Sequence, residues 1–171
     1  SDVYKRQVNI LIERPGTEKP IKKTLTREEV KVKSVPYKGM VDDGIAYVRL
    51  TRFTRNCASE VEEAILELTN ENDVKGLVLD LRGNPGGLLN ESVSLCNLFI
   101  DKNQEVVSTK GKIKDWEKSY KTMKEPLYKE LPLAILINQS SASASEIVSG
   151  TIQDLDIGII LGKKSFGKGL V

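Results

Sequence analysis

The sequence predicts a layered α/β sheet with parallel neighbouring strands and flanking helices. Three observations predict it. Residues 76–81, 133–137 and 159–161 are short, nearly continuous apolar runs, the mark of strands buried on both faces. Segments with a helical period lie between them. Strands alternating with helical periods are the pattern of parallel sheets, because a parallel neighbour needs a crossover.

The elements follow in order. Residues 1–7 specify little and read as a start that need not be native. Residues 8–14 alternate as a strand does, and Pro15-Gly16 ends it. A lone strand buries no core, so residues 8–16 look like the tail of another domain, and 1–16 as a whole read as a start that need not be native plus that strand. Residues 17–34 are polar and lysine-rich, a linker with some extended character, and 35–171 form the main domain. Asp42-Asp43-Gly44 is a turn before a strand at 45–50. Val61, Ala64, Ile65 and Leu68 then mark one helix face, and Ser59 with Glu62 has the capping-box spacing for its start. A second helix falls near 90–99, a strand at 106–109 and a surface hairpin or excursion at 110–130. A third helix is expected over 145–154.

The totals exclude several kinds of function. The 26 basic and 24 acidic residues nearly cancel and are scattered, which argues against nucleic acid as a partner. No apolar stretch reaches the roughly 20 residues needed to span a bilayer. Cys57 and Cys96 form no metal-binding pair and read as buried free thiols. The chain contains no histidine, so Ser-His-Asp and Cys-His catalysis are ruled out, along with histidine metal sites. No cofactor and no metal is called for, and any hydrolysis must use another base.

Three segments could carry chemistry. Asp80-Leu81-Arg82-Gly83-Asn84-Pro85-Gly86-Gly87 follows a strand, where open α/β sheets place their sites. Its glycines could present backbone amides to a developing oxyanion, or form a plain turn. Residues 138–146 join a strand to a helix and hold Ser141, Ser143 and Ser145, which local chemistry does not separate. Ser143 and Glu146 have capping-box spacing, so Ser143 could equally serve only as a cap. The third segment, residues 162–169, contains Lys168. A lysine becomes a general base when burial suppresses its charged form, and Phe166 with the flanking glycines fits such shielding; taken alone, Lys168 reads more simply as one more solvated lysine. Gly162 to Lys168 also satisfies most of a phosphate-binding loop, but Gly169 stands where that motif needs Ser or Thr.

In this order the segments resemble the C-terminal processing peptidases, or tail-specific proteases. The resemblance rests on residues 43–50, Leu-Arg-Gly-Asn-Pro-Gly-Gly at 81–87, Ser-Ala-Ser-Ala-Ser-Glu-Ile at 141–147, Gln-Asp at 153–154 and Ser-Phe-Gly-Lys-Gly at 165–169. It implies a layered crotonase/Clp-protease-like fold, incomplete here at the C-terminus, with residues 8–16 as the last strand of a PDZ domain. It also implies a serine endopeptidase acting near protein C-termini, with Ser143 as nucleophile and Lys168 as base. The two stand 25 residues apart, the family spacing. The amides of Ala144 and of Gly86 or Gly87 would form the oxyanion hole, and Asp154 would support the site. The implied partners are proteins or peptides with exposed C-termini. The implied location is the bacterial periplasm or cell envelope, and self-association is left open. An inactive, scaffold-like member and a crotonase-type acyl-CoA enzyme are the competing readings.

Overall fold

The computed structural model describes residues 6–28, 32–112 and 117–170. The chain divides into two compact units, residues 1–32 and 33–171. In the first, strands β1 (Gln7–Ile12) and β2 (Ile21–Thr26) pair antiparallel, from Gln7 opposite Thr26 to Ile12 opposite Ile21. Arg14 and Thr17 close the turn around Pro15-Gly16, with the Thr17 N–H donating to the Arg14 carbonyl at 3.1 Å. Residues 21–26, expected within a linker, are therefore a strand. Of the non-specific start, Arg6 and Gln7 belong to the hairpin, and residues 1–5 lie outside the described ones.

The second unit runs β3 (Tyr37–Asp42), β4 (Ile45–Arg49), α1 (Cys57–Glu71), β5 (Gly76–Asp80), α2 (Leu89–Cys96), β6 (Glu105–Thr109), β7 (Lys118–Lys121), β8 (Leu133–Ile137), α3 (Ala144–Asp154) and β9 (Gly158–Gly162). Five strands form the main sheet in the order β3-β4-β5-β8-β9. Only β3 with β4 is antiparallel; β4, β5, β8 and β9 are parallel neighbours. Their carboxyl ends therefore share one edge, where the crevices of such sheets lie. β6 and β7 form a separate antiparallel pair: the strand expected at 106–109 pairs with one inside the 110–130 segment, expected as a hairpin or excursion of its own.

Register shows which face makes the core. Ala46, Leu77 and Leu133 lie in one row and Val48, Leu79 and Ile135 in the next, all buried in one cluster with residues of the three helices. The opposite face carries Ile45, Val78 and Ala134, only half-buried, and Ile159, 60% exposed. The expectation of strands buried on both faces thus holds for one face of the sheet. All three helices contribute to the same core, which leaves the second face open among the described residues.

Helix α1 begins at Cys57, two residues before the expected cap at Ser59. Its first amides are satisfied from elsewhere: the Asn56 and Ala58 N–H groups donate to the Glu91 carboxylate at 2.9 and 3.1 Å. A carboxylate at a helix N-terminus also meets the positive end of the helix dipole. The Cys57 and Cys96 thiols are free and buried, and burial pushes the Cys96 thiol up to about 12.

Candidate active site

The loops after β4, β5, β8 and β9 converge at the shared carboxyl edge. Their hydrogen bonds distinguish the three serines. Ser141 is buried, and its hydroxyl donates to the Leu81 carbonyl at 2.8 Å. Ser145 is buried, and its hydroxyl donates to the Asn84 carbonyl at 3.0 Å. Among the described residues, the Ser143 hydroxyl donates to no acceptor. Its oxygen stands in capping-box position toward the Glu146 N–H, which itself donates to the Ser143 carbonyl at 2.8 Å. Capping therefore leaves the hydroxyl proton uncommitted.

Ser143 has φ 56 and ψ −113, a conformation that L residues rarely adopt. Such strain persists only where the surroundings impose it, and it collects at functional sites. Here it places a half-buried serine at the sharp strand-to-helix turn between β8 and α3. The following amide, of Ala144, opens the helix and has no acceptor among the described residues.

The glycine loop lies against this turn. A Cβ on Gly86 would stand 2.6 Å from the Ala142 carbonyl oxygen and 2.9 Å from the Ala144 nitrogen, so only glycine fits. The Gly86 N–H is occupied, donating to Asn84 Oδ1 at 2.9 Å. The Gly86 carbonyl accepts from the Phe53 N–H at 3.0 Å. In a trans peptide the C=O and the next N–H point in opposite directions, so the Gly87 N–H points away from Phe53. Phe53 follows β4 and Ser143 follows β8, on opposite sides of β5. The Gly87 amide is thereby directed to the serine side, with no acceptor among the described residues. Of the two glycines expected to supply an oxyanion donor, the geometry favours Gly87.

Glu146 joins the serine turn to the lysine segment. Its Oε2 accepts the N–H groups of Ser143 and Lys168 at 2.7 and 2.9 Å. Its Oε1 accepts the Ser165 hydroxyl and the Gly167 N–H at 2.8 and 2.6 Å. Burial pushes the Glu146 carboxyl up, but these four donors together outweigh it and hold it below its ordinary value. In the sequence, Glu146 is legible only as a capping-box partner of Ser143. The signal available was a carboxylate three residues after a serine; its bonds to residues 165–168 could not be seen locally.

Two expectations meet a different geometry. Lys168 is exposed, and Phe166, expected to shield it, is 67% exposed. The segment packs by its backbone and the Ser165 hydroxyl, through Glu146 and through the Phe166 N–H to the Ser141 carbonyl at 3.0 Å, which leaves the Phe166 and Lys168 side chains exposed. Asp154 ends α3, whereas Ser143 begins it. Eleven residues at about 1.5 Å each separate them along the helix, roughly 16 Å, so the structure does not bring Asp154 to Ser143.

Asp80 anchors the glycine loop from beneath. It is 2% exposed, and its carboxylate accepts the Arg82 guanidinium at 2.9 and 2.8 Å, the Arg82 N–H at 2.9 Å and the Tyr47 hydroxyl. Burial raises the Asp80 carboxyl, and these donors more than reverse that, holding it below the usual carboxylate range.

Comparison with known proteins identifies the family. Residues 44–171 match the model of peptidase family S41. The chain is 40% identical over 167 residues to the carboxy-terminal-processing protease of Bartonella bacilliformis, covering 96% of this chain and 38% of that protein. It is 39% identical over 168 residues to a Staphylococcus aureus protein named "Probable CtpA-like serine protease", covering 96% and 32%. Among solved structures, the photosystem II D1 C-terminal processing protease superposes with a TM-score of 0.69 at 29% identity, covering 98% of this chain and 46% of that one. The chain thus spans about a third of the length of the curated relatives it matches.

Proposed function

Since the chain belongs to peptidase family S41, we propose that it carries the catalytic centre of a serine endopeptidase that cleaves proteins near their C-termini. The observation that carries the reading is the Ser143 turn: a strained serine with an uncommitted hydroxyl, between two unoccupied amides and tied by Glu146 to the Lys168 segment.

The chemistry proceeds in two halves. Neutral Lys168 takes the Ser143 proton as the serine oxygen attacks the peptide carbonyl carbon. The carbonyl oxygen becomes an oxyanion held by the Ala144 and Gly87 N–H groups, with the α3 N-terminus adding a favourable field. Lys168 gives its proton to the leaving amine as the C–N bond breaks. Water then attacks the acyl-enzyme, losing a proton to Lys168, which passes it to the Ser143 oxygen as the acyl C–O bond breaks and the acid is released. A lysine works this way only when desolvated, so with Lys168 exposed here, the bound substrate or further protein must cover it.

By the same resemblance, residues 8–16 are assigned to the end of a PDZ domain, and the protein to the bacterial periplasm or cell envelope. The test uses the full-length protein carrying this chain and a substrate protein with an unstructured apolar C-terminus. Wild type should cleave it, and Ser143→Ala and Lys168→Ala should not. Cleavage undiminished in Ser143→Ala would overturn the site. Fluorophosphonate labelling of wild type, absent in Ser143→Ala, separates an active enzyme from an inactive scaffold of the same fold.

A further inference from the structure

We propose that Asn84 is a positioning residue for the oxyanion pocket, setting the orientation of the Gly87 amide opposite Ser143. This rests on the reading of Ser143 as nucleophile and adds a residue that touches no substrate. Asn84 is fully buried, and all its polar groups are used. Nδ2 donates to the Leu50 carbonyl at 2.9 Å, and Oδ1 accepts the Gly86 N–H at 2.9 Å. Its carbonyl oxygen accepts the Ala142 N–H at 3.1 Å and the Ser145 hydroxyl at 3.0 Å, and its own N–H donates to Leu81 at 3.1 Å. One residue thus joins the ends of three neighbouring strands, β4, β5 and β8.

The consequence concerns the Gly86-Gly87 peptide. Gly86 and Gly87, at φ 93 and 151, have the wide conformational freedom of glycine, so their conformation must be imposed from outside. Asn84 fixes the Gly86 N–H and Phe53 fixes the Gly86 carbonyl; the direction of the Gly87 N–H follows from the two. Alanine at position 84 would leave the Leu50 carbonyl and the Gly86 N–H without partners. The Gly86-Gly87 peptide would then be held at the Gly86 carbonyl by Phe53 but no longer at the Gly86 N–H, so the Gly87 amide is less firmly directed, and an oxyanion donor is effective only when held in place beforehand.

The experiment uses the full-length protein with Asn84→Ala, Asn84→Asp and Ser143→Ala. Loss of one oxyanion donor lowers kcat by about 10²-fold, and that is the fall expected for Asn84→Ala, with KM changed by less than about twofold. Affinity for a peptide boronate, which mimics the tetrahedral state, should fall in parallel with kcat/KM. Affinity for the uncleaved peptide, measured in the Ser143→Ala background with and without Asn84→Ala, should stay constant. Asn84→Asp supplies a separate signature. Protonated, it can still donate to Leu50 and accept from Gly86; ionised, it cannot donate. Its kcat relative to wild type should therefore fall as pH rises.

A folded Asn84→Ala enzyme with kcat within about threefold of wild type overturns the inference. So does an equal loss of affinity for boronate and uncleaved peptide. If Asn84→Ala does not fold, a pH-independent ratio for Asn84→Asp overturns it. Cleavage persisting in Ser143→Ala would defeat the underlying reading instead, and the two failures are distinct.

Discussion

Ser143 and Lys168 donate their backbone N–H groups to one and the same oxygen, Oε2 of Glu146, at 2.7 and 2.9 Å. The residues proposed as nucleophile and base are thus registered through a third side chain rather than through each other. Replacing Glu146 by Gln keeps one acceptor oxygen and substitutes a donor NH₂ group for the other. The segment 165–168 should then lose its docking. We expect kcat to fall at least about tenfold, and stability to fall by about 1.5–3 kcal/mol, the range for bonds to a charged group. Steady-state kinetics and urea denaturation measure both.

The same carboxylate makes a pH prediction. Glu146 titrates below its ordinary value of 4.5 in the folded protein. Its stabilising contribution is therefore fully present above the unfolded value and is lost as pH falls through the lower folded one. The stability gap between wild type and Glu146→Gln should stay level from neutral pH down to about 5 and close below that. A gap that widens on acidification would contradict the bonding shown here.

The serine run allows a comparison within five residues. Ser141→Ala and Ser145→Ala each remove a buried hydrogen bond to a carbonyl and should cost about 1–2 kcal/mol. Ser143→Ala should abolish cleavage with little change in stability. Ser143→Gly should also be inactive, yet more stable than Ser143→Ala by about 1 kcal/mol, because φ 56 with ψ −113 suits glycine better. Thermal denaturation of the four variants checks the order.

These contrasts show what the sequence made legible. Elements with their own period or composition, such as the helix carrying Val61, Ala64, Ile65 and Leu68, could be read locally, as could the glycine loop after β5. The serine assignment could not be read from residue chemistry. Ser141 and Ser145 are committed to Leu81 and Asn84, each about sixty residues away in the chain. The start of α1 was displaced for the same reason, since Glu91, 35 residues from Asn56, supplies its cap. Shielding of Lys168, suggested by Phe166 and the flanking glycines, is not found, and the solvated side chain is the simpler local reading. Its exposure follows from a segment held mostly by backbone bonds, with the Ser165 hydroxyl, which residue type does not record.

Asp154 gives a negative prediction. It stands at the far end of α3 from Ser143 and is exposed. Asp154→Ala should leave kcat/KM within about threefold of wild type, the change expected of a group outside the reacting centre. A hundredfold loss would restore the supporting role that the sequence resemblance implied.

Two glycines of one loop make the last prediction, because they share a left-handed backbone and differ in what surrounds them. Gly83 has φ 75 and open space where a Cβ would stand; Gly86 has φ 93 and three atoms of the serine turn within 3 Å of that position. Gly83→Ala pays only for the backbone, about 1 kcal/mol, and should retain most of its activity. Gly86→Ala must also push aside Ala142, Ser143 and Ala144, so the oxyanion donors and the nucleophile move together. Overpacking adds about 1–3 kcal/mol, and activity should fall by at least about 10²-fold. Equal activities for the two variants would mean that the close approach of Gly86 to Ser143 is not part of the working site.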